Sequence, residues 1–329
     1  MFTLAHLSDP HIGPIPTPPL RELVNKRGLG LINWYRKRHR HHRTDVLDDI
    51  VADMKLQAPG HIAVAGDLVN ISLETEFARA ARWLSEIGAP ADVTLVPGNH
   101  DAYIRRATGS AAAHWGAYMR GDDGFRRHPE VRAGGAPRRA TAPSSFEARS
   151  REPLAPQDDV IFPFVRRRGP LAIVALTTSL PTGPLMATGR LGDEQLARLA
   201  EILQALSHEP VFRVVLIHHP PIPSRGHYMK RLIDAPKLRA LLAQHGAELL
   251  LHGHNHEQQL MWLDGPRGRI PAVGVPSASA IVSTHDEPAA YNLYRIAGQS
   301  GAWQCEMISR GLRAGHAGIT ELTRHMLVG

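Results

Sequence analysis

The sequence is short of cysteine, aromatic residues and long apolar runs. Its one cysteine, Cys305, excludes an internal disulfide and fits a reducing compartment. Aromatic residues make up 5% of the 329 residues, so the core must be mostly aliphatic. No apolar run approaches the ~20 residues of a membrane span, and the first residues lack the basic start of a secretory signal. We therefore expect a cytoplasmic protein, with attachment to the inner face of the membrane as an alternative.

Positive charge is concentrated in two segments of the chain. The net charge is +7, from 38 Lys and Arg against 31 Asp and Glu. Residues 1–45 carry +5, residues 126–168 carry another +5, and the remainder is therefore at −3. The basicity belongs to these segments and not to the body of the protein, so they need a separate interpretation.

Apolar runs and helical patterns alternate along most of the chain, which is typical of α/β proteins. Strands are predicted at 2–7, 62–65, 93–96, 160–165, 171–176, 211–217, 248–251, 259–263, 270–275, 291–296 and 303–308. Helices are predicted at 44–57, 73–87, 111–119, 192–206 and 235–245. We expect one domain over 1–310 and a tail over 311–329. The domain would carry a basic, aromatic insertion at 14–43 and a flexible Arg, Gly and Pro-rich insertion at 104–159.

Polar side chains follow five of the predicted strands at the point where each strand ends. They are Asp9 and His11, Asp67, Asn99 with His100 and Asp101, His218 with His219, and His254 with His256. Ligands in open α/β sheets bind beyond the carboxyl ends of strands. Alternate residues of an extended segment point to the same side, so Asp-x-His and His-x-His can each direct two donors to one point. Imidazole with carboxyl or amide oxygen suits Zn, Mn, Fe or Co.

Each of these pieces also has an interpretation that involves no metal. The chain has 20 His, so a single His-x-His pair is weak evidence, and Asp67 could cap a turn or helix. Five such pieces in order, each after a strand, are not readily explained by chance. Two metals about 3.5–4 Å apart can share a carboxylate, activate a bridging hydroxide and hold phosphoryl oxygens.

In this order the motifs resemble those of the calcineurin-like metallophosphoesterases. The matching segments are Asp9-Pro10-His11, Gly66-Asp67, Gly98-Asn99-His100-Asp101, His218-His219-Pro220 and Gly253-His254-Asn255-His256. The resemblance implies an α/β, four-layer sandwich in which two mixed β-sheets are flanked by helices. It implies a dinuclear centre whose two ions are Mn, Fe or Zn.

The resemblance also assigns roles to individual residues. One metal would be held by Asp9, His11 and His256, the second by Asn99, His218 and His254, and Asp67 would bridge them. His100 would face the scissile phosphate, and Asp101 would orient His100. His219 is the less favoured ligand of its pair, and His252 is expected to lie behind the ligands.

The implied reaction is hydrolysis of a phosphate ester by in-line attack of a metal-bridging hydroxide. Purple acid phosphatases carry a tyrosine three residues after the bridging Asp, and here that residue is Asn70. The chain therefore looks closer to the bacterial class III cyclic-nucleotide phosphodiesterase and glycerophosphodiesterase branch, which predicts a small diester substrate. The alternatives are a membrane-associated pyrophosphatase of a nucleotide-linked lipid, similar to UDP-2,3-diacylglucosamine hydrolases, and a non-catalytic scaffold.

The two insertions suggest further partners. Residues 20–43 combine an apolar stripe ending in Trp34-Tyr35 with a cationic run, so they form either a packed helix with a solvated face or a cap that contacts anionic substrate or an anionic membrane surface. The Arg-rich segment 104–159 lacks interleaved aromatic residues for stacking on bases, which argues against nucleic acid. The oligomeric state is not indicated.

Overall fold

The computed structural model describes residues 1–107, 109–122, 160–223, 228–283 and 287–329. The strands are β1 (Phe2–Leu7), β2 (His61–Val64), β3 (Val93–Leu95), β4 (Phe164–Arg168), β5 (Leu171–Ala175), β6 (Phe212–Leu216), β7 (Leu249–His252), β8 (Gln259–Gly265), β9 (Gly268–Gly274), β10 (Ala290–Gln299), β11 (Ala302–Leu312) and β12 (Ile319–Val328). The helices are α1 (Lys26–Asn33), α2 (His39–His41), α3 (Thr44–Leu56), α4 (Glu74–Ile87), α5 (Ser110–Trp115), α6 (Asp193–Leu206) and α7 (Ala235–His245).

The strands form two six-stranded mixed sheets, with the order β12-β11-β10-β1-β2-β3 in the first and β4-β5-β6-β7-β9-β8 in the second. Strands β1, β2 and β3 are parallel to one another, and so are β5, β6 and β7. All six of these strands are buried, as expected for parallel strands covered on both faces. The carboxyl ends of each parallel set therefore meet at one edge.

The two faces of the second sheet pack against different layers, as strand β5 shows. Leu171, Ile173 and Ala175 belong to the large core cluster that also contains residues of the first sheet. The alternate residues Ala172 and Val174 pack instead with the apolar faces of α6 and α7. Helices α3 and α4 contribute buried side chains to the large cluster beside the first sheet. The predicted sandwich of two mixed sheets flanked by helices is confirmed.

Helix ends follow local chemistry. The buried carboxylate of Glu76 accepts hydrogen bonds from the backbone N–H groups of Asn70, Ile71 and Leu73 at 2.9, 3.2 and 2.9 Å, which fixes the loop before α4. Helix α7 has the bounds that the sequence predicts and ends at Gly246 with φ 74°. Strand β4 begins at Phe164 and not at Val160, because Pro163 precedes it and offers no N–H to a ladder.

Residues 20–43, which we call the cap, are largely helical. Helix α1, a π-helical turn over Trp34–Arg38 and α2 follow one another without a break. Glycine is a poor helix former, so the glycines of this segment disfavour a helix on propensity alone. At Gly30 the reason for glycine is steric, since a Cβ there would overlap Ile71 and the hydroxyl of Tyr103. The helix thus lies tightly against the body of the domain.

The segment 311–329 is not a separate tail, which corrects the expected boundary. Residues Ile319–Val328 form β12, which pairs antiparallel with β11 and completes the first sheet. Leu327 is 5% exposed and belongs to the main core. Most other side chains of this edge strand face solvent, so its apolar pattern is weak, and the sequence alone did not reveal it.

Much of the predicted insertion at 104–159 lies outside the described residues, which omit Thr108 and 123–159. Within the remainder, α5 and a 3-10 turn over Gly116–Met119 occupy the predicted helix 111–119. The thiol of Cys305 is buried in β11, and burial raises its pKa to about 12. None of the described helices is both long and apolar enough to cross a membrane.

Truncating Leu327 tests whether β12 is part of the cooperative fold. We expect Leu327→Ala to lower the free energy of unfolding by about 2–4 kcal/mol, because it removes a buried side chain and leaves a cavity. The matched control is Met326→Ala, whose side chain is 62% exposed and whose loss should cost within about 0.5 kcal/mol. Urea denaturation measures both. Equal stability of the two variants would mean that residues 311–329 are a dispensable tail.

Candidate metal centre

Five loops bring polar side chains together where the parallel strands of both sheets end. Strands β1, β2 and β3 lead to Asp9 with His11, to Asp67, and to Asn99 with His100. Strands β6 and β7 lead to His218 and to His254 with His256. Asp9, His11, Asp67, Asn99, His218 and His254 are all buried, which is unusual for so many polar groups.

The first set of donors consists of Asp9, His11 and His256. Nε2 of His256 lies 3.3 Å from Oδ1 of Asp9 and 3.3 Å from Nε2 of His11. Nε2 of His11 lies 3.8 Å from the same carboxylate oxygen. Donors that bind one ion at about 2.1 Å are roughly 3.0–3.4 Å apart, so these three side chains could hold one cation.

The second set consists of Asn99, His218 and His254. Nε2 of His218 lies 3.2 Å from Oδ1 of Asn99 and 3.2 Å from Nδ1 of His254. These separations also match those of ligands around a single ion. The structure thus brings the six residues together in the two groups that the resemblance implies.

Asp67 lies between the two sets. Its Oδ2 is 4.0 Å from Nε2 of His11 and 3.5 Å from Nε2 of His218. Its Oδ1 accepts a hydrogen bond of 2.7 Å from the backbone N–H of His100. One carboxylate therefore faces both sets, which is the arrangement that a bridging ligand needs.

Hydrogen bonds behind the ligands fix three of the imidazole rings. Nδ1 of His11 faces the carbonyl of Val69 at 3.3 Å, and Nδ1 of His218 faces that of Ala65 at 2.5 Å. His254 is reversed, with Nε2 facing the carbonyl of Lys230 at 2.9 Å. In each case the other ring nitrogen points into the site, where it can bind a cation once it is unprotonated. Metal-binding histidines are typically held in this way.

The backbone at this site is strained. Asp9, His11, Asp67, His254 and His256 have φ of 51°, 40°, 56°, 74° and 58°. Positive φ is uncommon in residues other than glycine and costs about 1–3 kcal/mol each. Such strain clusters at functional sites, and here it coincides with five of the seven candidate ligands.

Close packing holds Asp9 in place. Its Oδ2 accepts hydrogen bonds from Oγ of Ser8 at 2.6 Å and from the backbone N–H of His254 at 2.9 Å. Oγ of Ser277 donates a hydrogen bond of 2.6 Å to the backbone carbonyl of Asp9. A Cβ at Gly253 would overlap both Ser8 and Asp9. Glycine at this position lets the loop after β7 approach the loop after β1.

Comparison with protein families identifies the chain. Residues 2–258 match the family model described as calcineurin-like phosphoesterase. This chain belongs to the calcineurin-like phosphoesterase family. Comparison with curated proteins gives no match.

Solved structures share the fold at low sequence identity. A dimetal phosphatase from Danio rerio superposes with a TM-score of 0.60 and 12% identity, covering 99% of this chain and 98% of that one. A purple acid phosphatase from yellow lupin seeds gives a TM-score of 0.55 and 11% identity, covering 98% of this chain and 53% of that one. At this identity the likeness establishes the fold alone.

The donor sets of this phosphoesterase fit the two ions of its family. Oδ1 of Asp9 is buried and receives no hydrogen bond from the part of the chain that the structure describes. An unsatisfied carboxylate oxygen is costly to bury, and this one faces Nε2 of His256 and His11. A cation coordinated by Oδ1 would remove the cost. The donors are nitrogen and oxygen only, which suits Zn, Mn, Fe or Co.

Electrostatics keep most of these ligands in the form that binds cations. Burial lowers the pKa of His11 and His254 well below the usual value, so both rings are neutral near pH 7. Burial opposes ionisation of Asp9, but His256 and His218 outweigh it and lower the pKa of that carboxyl. His218 differs, because Asp67 and Asp9 overcome burial and raise its pKa to about 9. An arriving metal must therefore displace a proton from His218.

Asp101 does not orient His100, which corrects the role expected from the resemblance. Nδ1 of His100 lies 2.5 Å from the carbonyl of Asn70. The carboxylate of Asp101 instead accepts hydrogen bonds of 2.8–3.2 Å from the backbone N–H groups of Asp67, Leu68, Val69 and Gly98. Burial and then Asp67 raise the pKa of Asp101, whereas its N–H donors favour the charged form. Asp101 therefore positions the loops and has no contact with the His100 ring.

Two neighbouring histidines serve the structure. His219 places Nδ1 2.7 Å from Oγ1 of Thr178 and Nε2 3.1 Å from the carbonyl of Ala187. Its ring nitrogens are thus engaged away from the donor sets, although the ring lies beside that of His254. His252 is buried at the end of β7, where its Nδ1 lies 3.2 Å from the carbonyl of Gly253.

The cap supplies two residues that the sequence did not single out, Arg38 and His42. The ring centroid of His42 is 4.7 Å from that of His11, and its Nδ1 lies 3.0 Å from Oγ of Ser279. Nη2 of Arg38 lies 2.7 Å from Nε2 of His11. The sequence feature that could have identified these two residues is their spacing of four within the cationic run 36–43, which places them on one helical face.

The site opens into a cleft of about 620 Å³. Its floor includes Asp67, Asn99, His100, His254 and His256, and its walls come from the cap and from residues 184–187. Because the donor sets lie at the floor, a substrate that reaches them must pass between the cap and this loop.

Removing the carboxylate of Asp67 should release both metals, because it faces both donor sets. We expect Asp67→Ala to retain less than one ion per chain after dialysis against Mn²⁺ and to lose phosphoesterase activity. The matched control is Asp92→Ala, which removes an exposed carboxylate before β3 and should bind as the wild type does. Elemental analysis measures the ions, and full activity in metal-free Asp67→Ala would contradict the assignment.

Proposed function

We propose that the protein is a dinuclear metal-dependent phosphodiesterase acting on a small phosphate ester. The observation that carries the proposal is the position of Asp67 Oδ2, 4.0 Å from His11 on one side and 3.5 Å from His218 on the other. One carboxylate thus faces both donor sets, which supports two neighbouring ion sites. Family membership supports hydrolysis of phosphoesters as the reaction class.

One ion would be held by Asp9, His11 and His256. The other would be held by Asn99, His218 and His254, and Asp67 would contact both. When bound, the ions supply an activated water and positive charge for the phosphoryl oxygens. The protein's part is to fix the ligands through the carbonyl groups behind them and to present the ester along the floor of the cleft.

His100 is the residue we propose to act at the leaving oxygen. Its Nδ1 is held by the carbonyl of Asn70, so Nε2 faces the cleft. Burial, and then Arg38, lower the pKa of His100 to about 4. A phosphate anion beside the ring would favour the protonated form, since opposite charges raise the pKa of an imidazole. Nε2 could then donate a proton or a hydrogen bond to the departing oxygen.

The choice of a diester rests on the resemblance to the class III cyclic-nucleotide phosphodiesterase branch and on the shape of the cleft. The cap and residues 184–187 form walls of the cleft, so both ester groups of a phosphodiester could contact the protein. Asn70 supports the same choice. Its Nδ2 donates to the carbonyl of Ile12 at 3.2 Å, and asparagine has no phenolate to act as the tyrosine ligand of purple acid phosphatases does.

Chelated enzyme resupplied with Mn²⁺ should hydrolyse bis-p-nitrophenyl phosphate with a higher kcat/KM than p-nitrophenyl phosphate. We expect no cleavage before the metal is restored. In the same assay His100→Ala should keep its bound Mn²⁺ but lose about 10²–10⁴-fold in kcat, because a positioned proton donor is gone. Preference for the monoester would overturn the diester assignment, and unchanged turnover in His100→Ala would overturn the role of that ring.

A second candidate function, hydrolysis of a nucleotide-linked lipid at a membrane surface, is favoured by the rim of the cleft. Leu29 and Ile32 of the cap are each 54% exposed, and Leu185 opposite them is 90% exposed. The cationic side chains of Arg36 and Lys37 line the same opening. An apolar rim with adjacent basic residues suits an anionic lipid surface.

Co-sedimentation with vesicles tests this candidate. If it is right, the protein should bind vesicles containing phosphatidylglycerol, lose binding at high salt, and bind less as Leu29→Ser/Leu185→Ser. The control is Leu56→Ser, which changes an 81% exposed leucine on α3. Absence of binding at low salt would eliminate the lipid surface as a partner.

A further inference from the structure

Arg38 extends from the cap into the middle of the metal-ligand cluster. Its Nη2 lies 2.7 Å from Nε2 of His11, and its Nη1 lies 3.1 Å from Nε2 of His100. The guanidinium therefore spans the gap between a candidate metal ligand and the ring that faces the leaving oxygen. A phosphoryl group bound between the donor sets and His100 would lie beside this guanidinium.

Within the described part of the chain, the charge of Arg38 has no close counterpart. In the ranges that the structure describes, its hydrogen bonds go to imidazole nitrogens, and no carboxylate forms an ion pair with it. Asp67 and Asp9 attract it from further away, while burial disfavours its charge. A guanidinium remains protonated at physiological pH, so withdrawing it from water is favourable only with an anionic partner.

The helix of the cap aims Arg38 at this position. Trp34, which is 3% exposed, packs with Ile15, Ile71 and Leu73 and anchors the π-helical turn that ends at Arg38. Residues four apart lie on the same side of a helix, so Arg38 points towards the body of the domain as Trp34 does. The neighbouring Arg36 and Lys37 are exposed.

Further contacts hold the cap on both sides of the cleft. Nε of Arg27 donates to the carbonyl of Ile71 at 3.0 Å. Nζ of Lys26 donates to Oγ1 of Thr182 at 3.0 Å and to the carbonyl of Met186 at 3.3 Å, on the opposite wall. Arg38 is consequently carried by a segment that is fixed before a substrate binds, which lowers the entropic cost of recognition.

We propose that Arg38 is a catalytic residue of the cap that binds the non-bridging phosphoryl oxygens of the substrate. This inference rests on the proposed phosphoesterase function. The planar fork of a guanidinium matches two oxygens of a phosphate. When His11 gives its Nε2 to a metal, that nitrogen is no longer available to Nη2, and the phosphoryl oxygens take its place as acceptors.

Substituting Arg38 tests the proposal through two independent measurements on the Mn²⁺-loaded protein. In Arg38→Ala we expect kcat/KM for bis-p-nitrophenyl phosphate and the affinity for inorganic phosphate each to fall about 10- to 100-fold, since charge-assisted hydrogen bonds are lost. Arg38→Lys keeps the charge without the fork and should recover part of both. Added guanidinium ions should partly restore the activity of Arg38→Ala, which they would not do for a damaged fold.

The matched control is Arg40→Ala, which removes an exposed cation two residues along the same run and should behave as the wild type. Mn²⁺ content and thermal stability are measured on every variant. Unchanged kcat/KM and phosphate affinity in Arg38→Ala would overturn the proposal, as would a loss accounted for by lower Mn²⁺ content. If the wild type cleaves no ester, the proposed function fails, whereas weaker phosphate binding by Arg38→Ala would still support the role of Arg38.

Discussion

The carboxylate of Asp101 joins the two loops on which the metal centre depends. It accepts hydrogen bonds from the backbone N–H groups of residues 67–69 and of Gly98. The loops after β2 and β3 are therefore fixed relative to each other. Asp67 and Asn99 lie on these loops and belong to the centre of the site. Each loop adopts strained φ values or a close approach that would be unfavourable alone. The four hydrogen bonds to the buried carboxyl group of Asp101 compensate for this, and the ligands are thereby positioned before any ion binds.

The remaining ligands come from the other sheet, and the sandwich brings them within reach. Strands β6 and β7 deliver His218 and His254 to the same edge at which β1, β2 and β3 end. Hydrogen bonds to backbone carbonyl groups also connect the two sheets. The carbonyl of Ala65, which follows β2, lies 2.5 Å from Nδ1 of His218. The site therefore depends on the relative position of the two sheets, which the main core between them holds fixed. Substrate selection is left to the cap and to the loop at 184–187, which line the opening.

The sequence predicted the sheets and the polar residues that meet at the strand ends because those features have local signatures. Apolar runs gave β1 to β3, and the Asp-x-His and Gly-His-x-His motifs placed Asp9, His11, His254 and His256 correctly at strand ends. Three features had no such signature. Strand β12 has one solvated face, so its pattern is polar. Asp101 follows His100 in the chain, but its four donors belong to backbone that only the tertiary fold brings near. Arg38 is one cation among several, and its direction depends on the anchoring of Trp34 and on a π-helical turn.

Anomalous scattering from a crystal of the Mn²⁺-loaded protein would show whether two ions share Asp67. We predict two peaks about 3.5–4 Å apart. One should lie among Asp9, His11 and His256, the other among Asn99, His218 and His254, with Asp67 in contact with both. A single peak, or two peaks of which only one contacts Asp67, would overturn the dinuclear assignment.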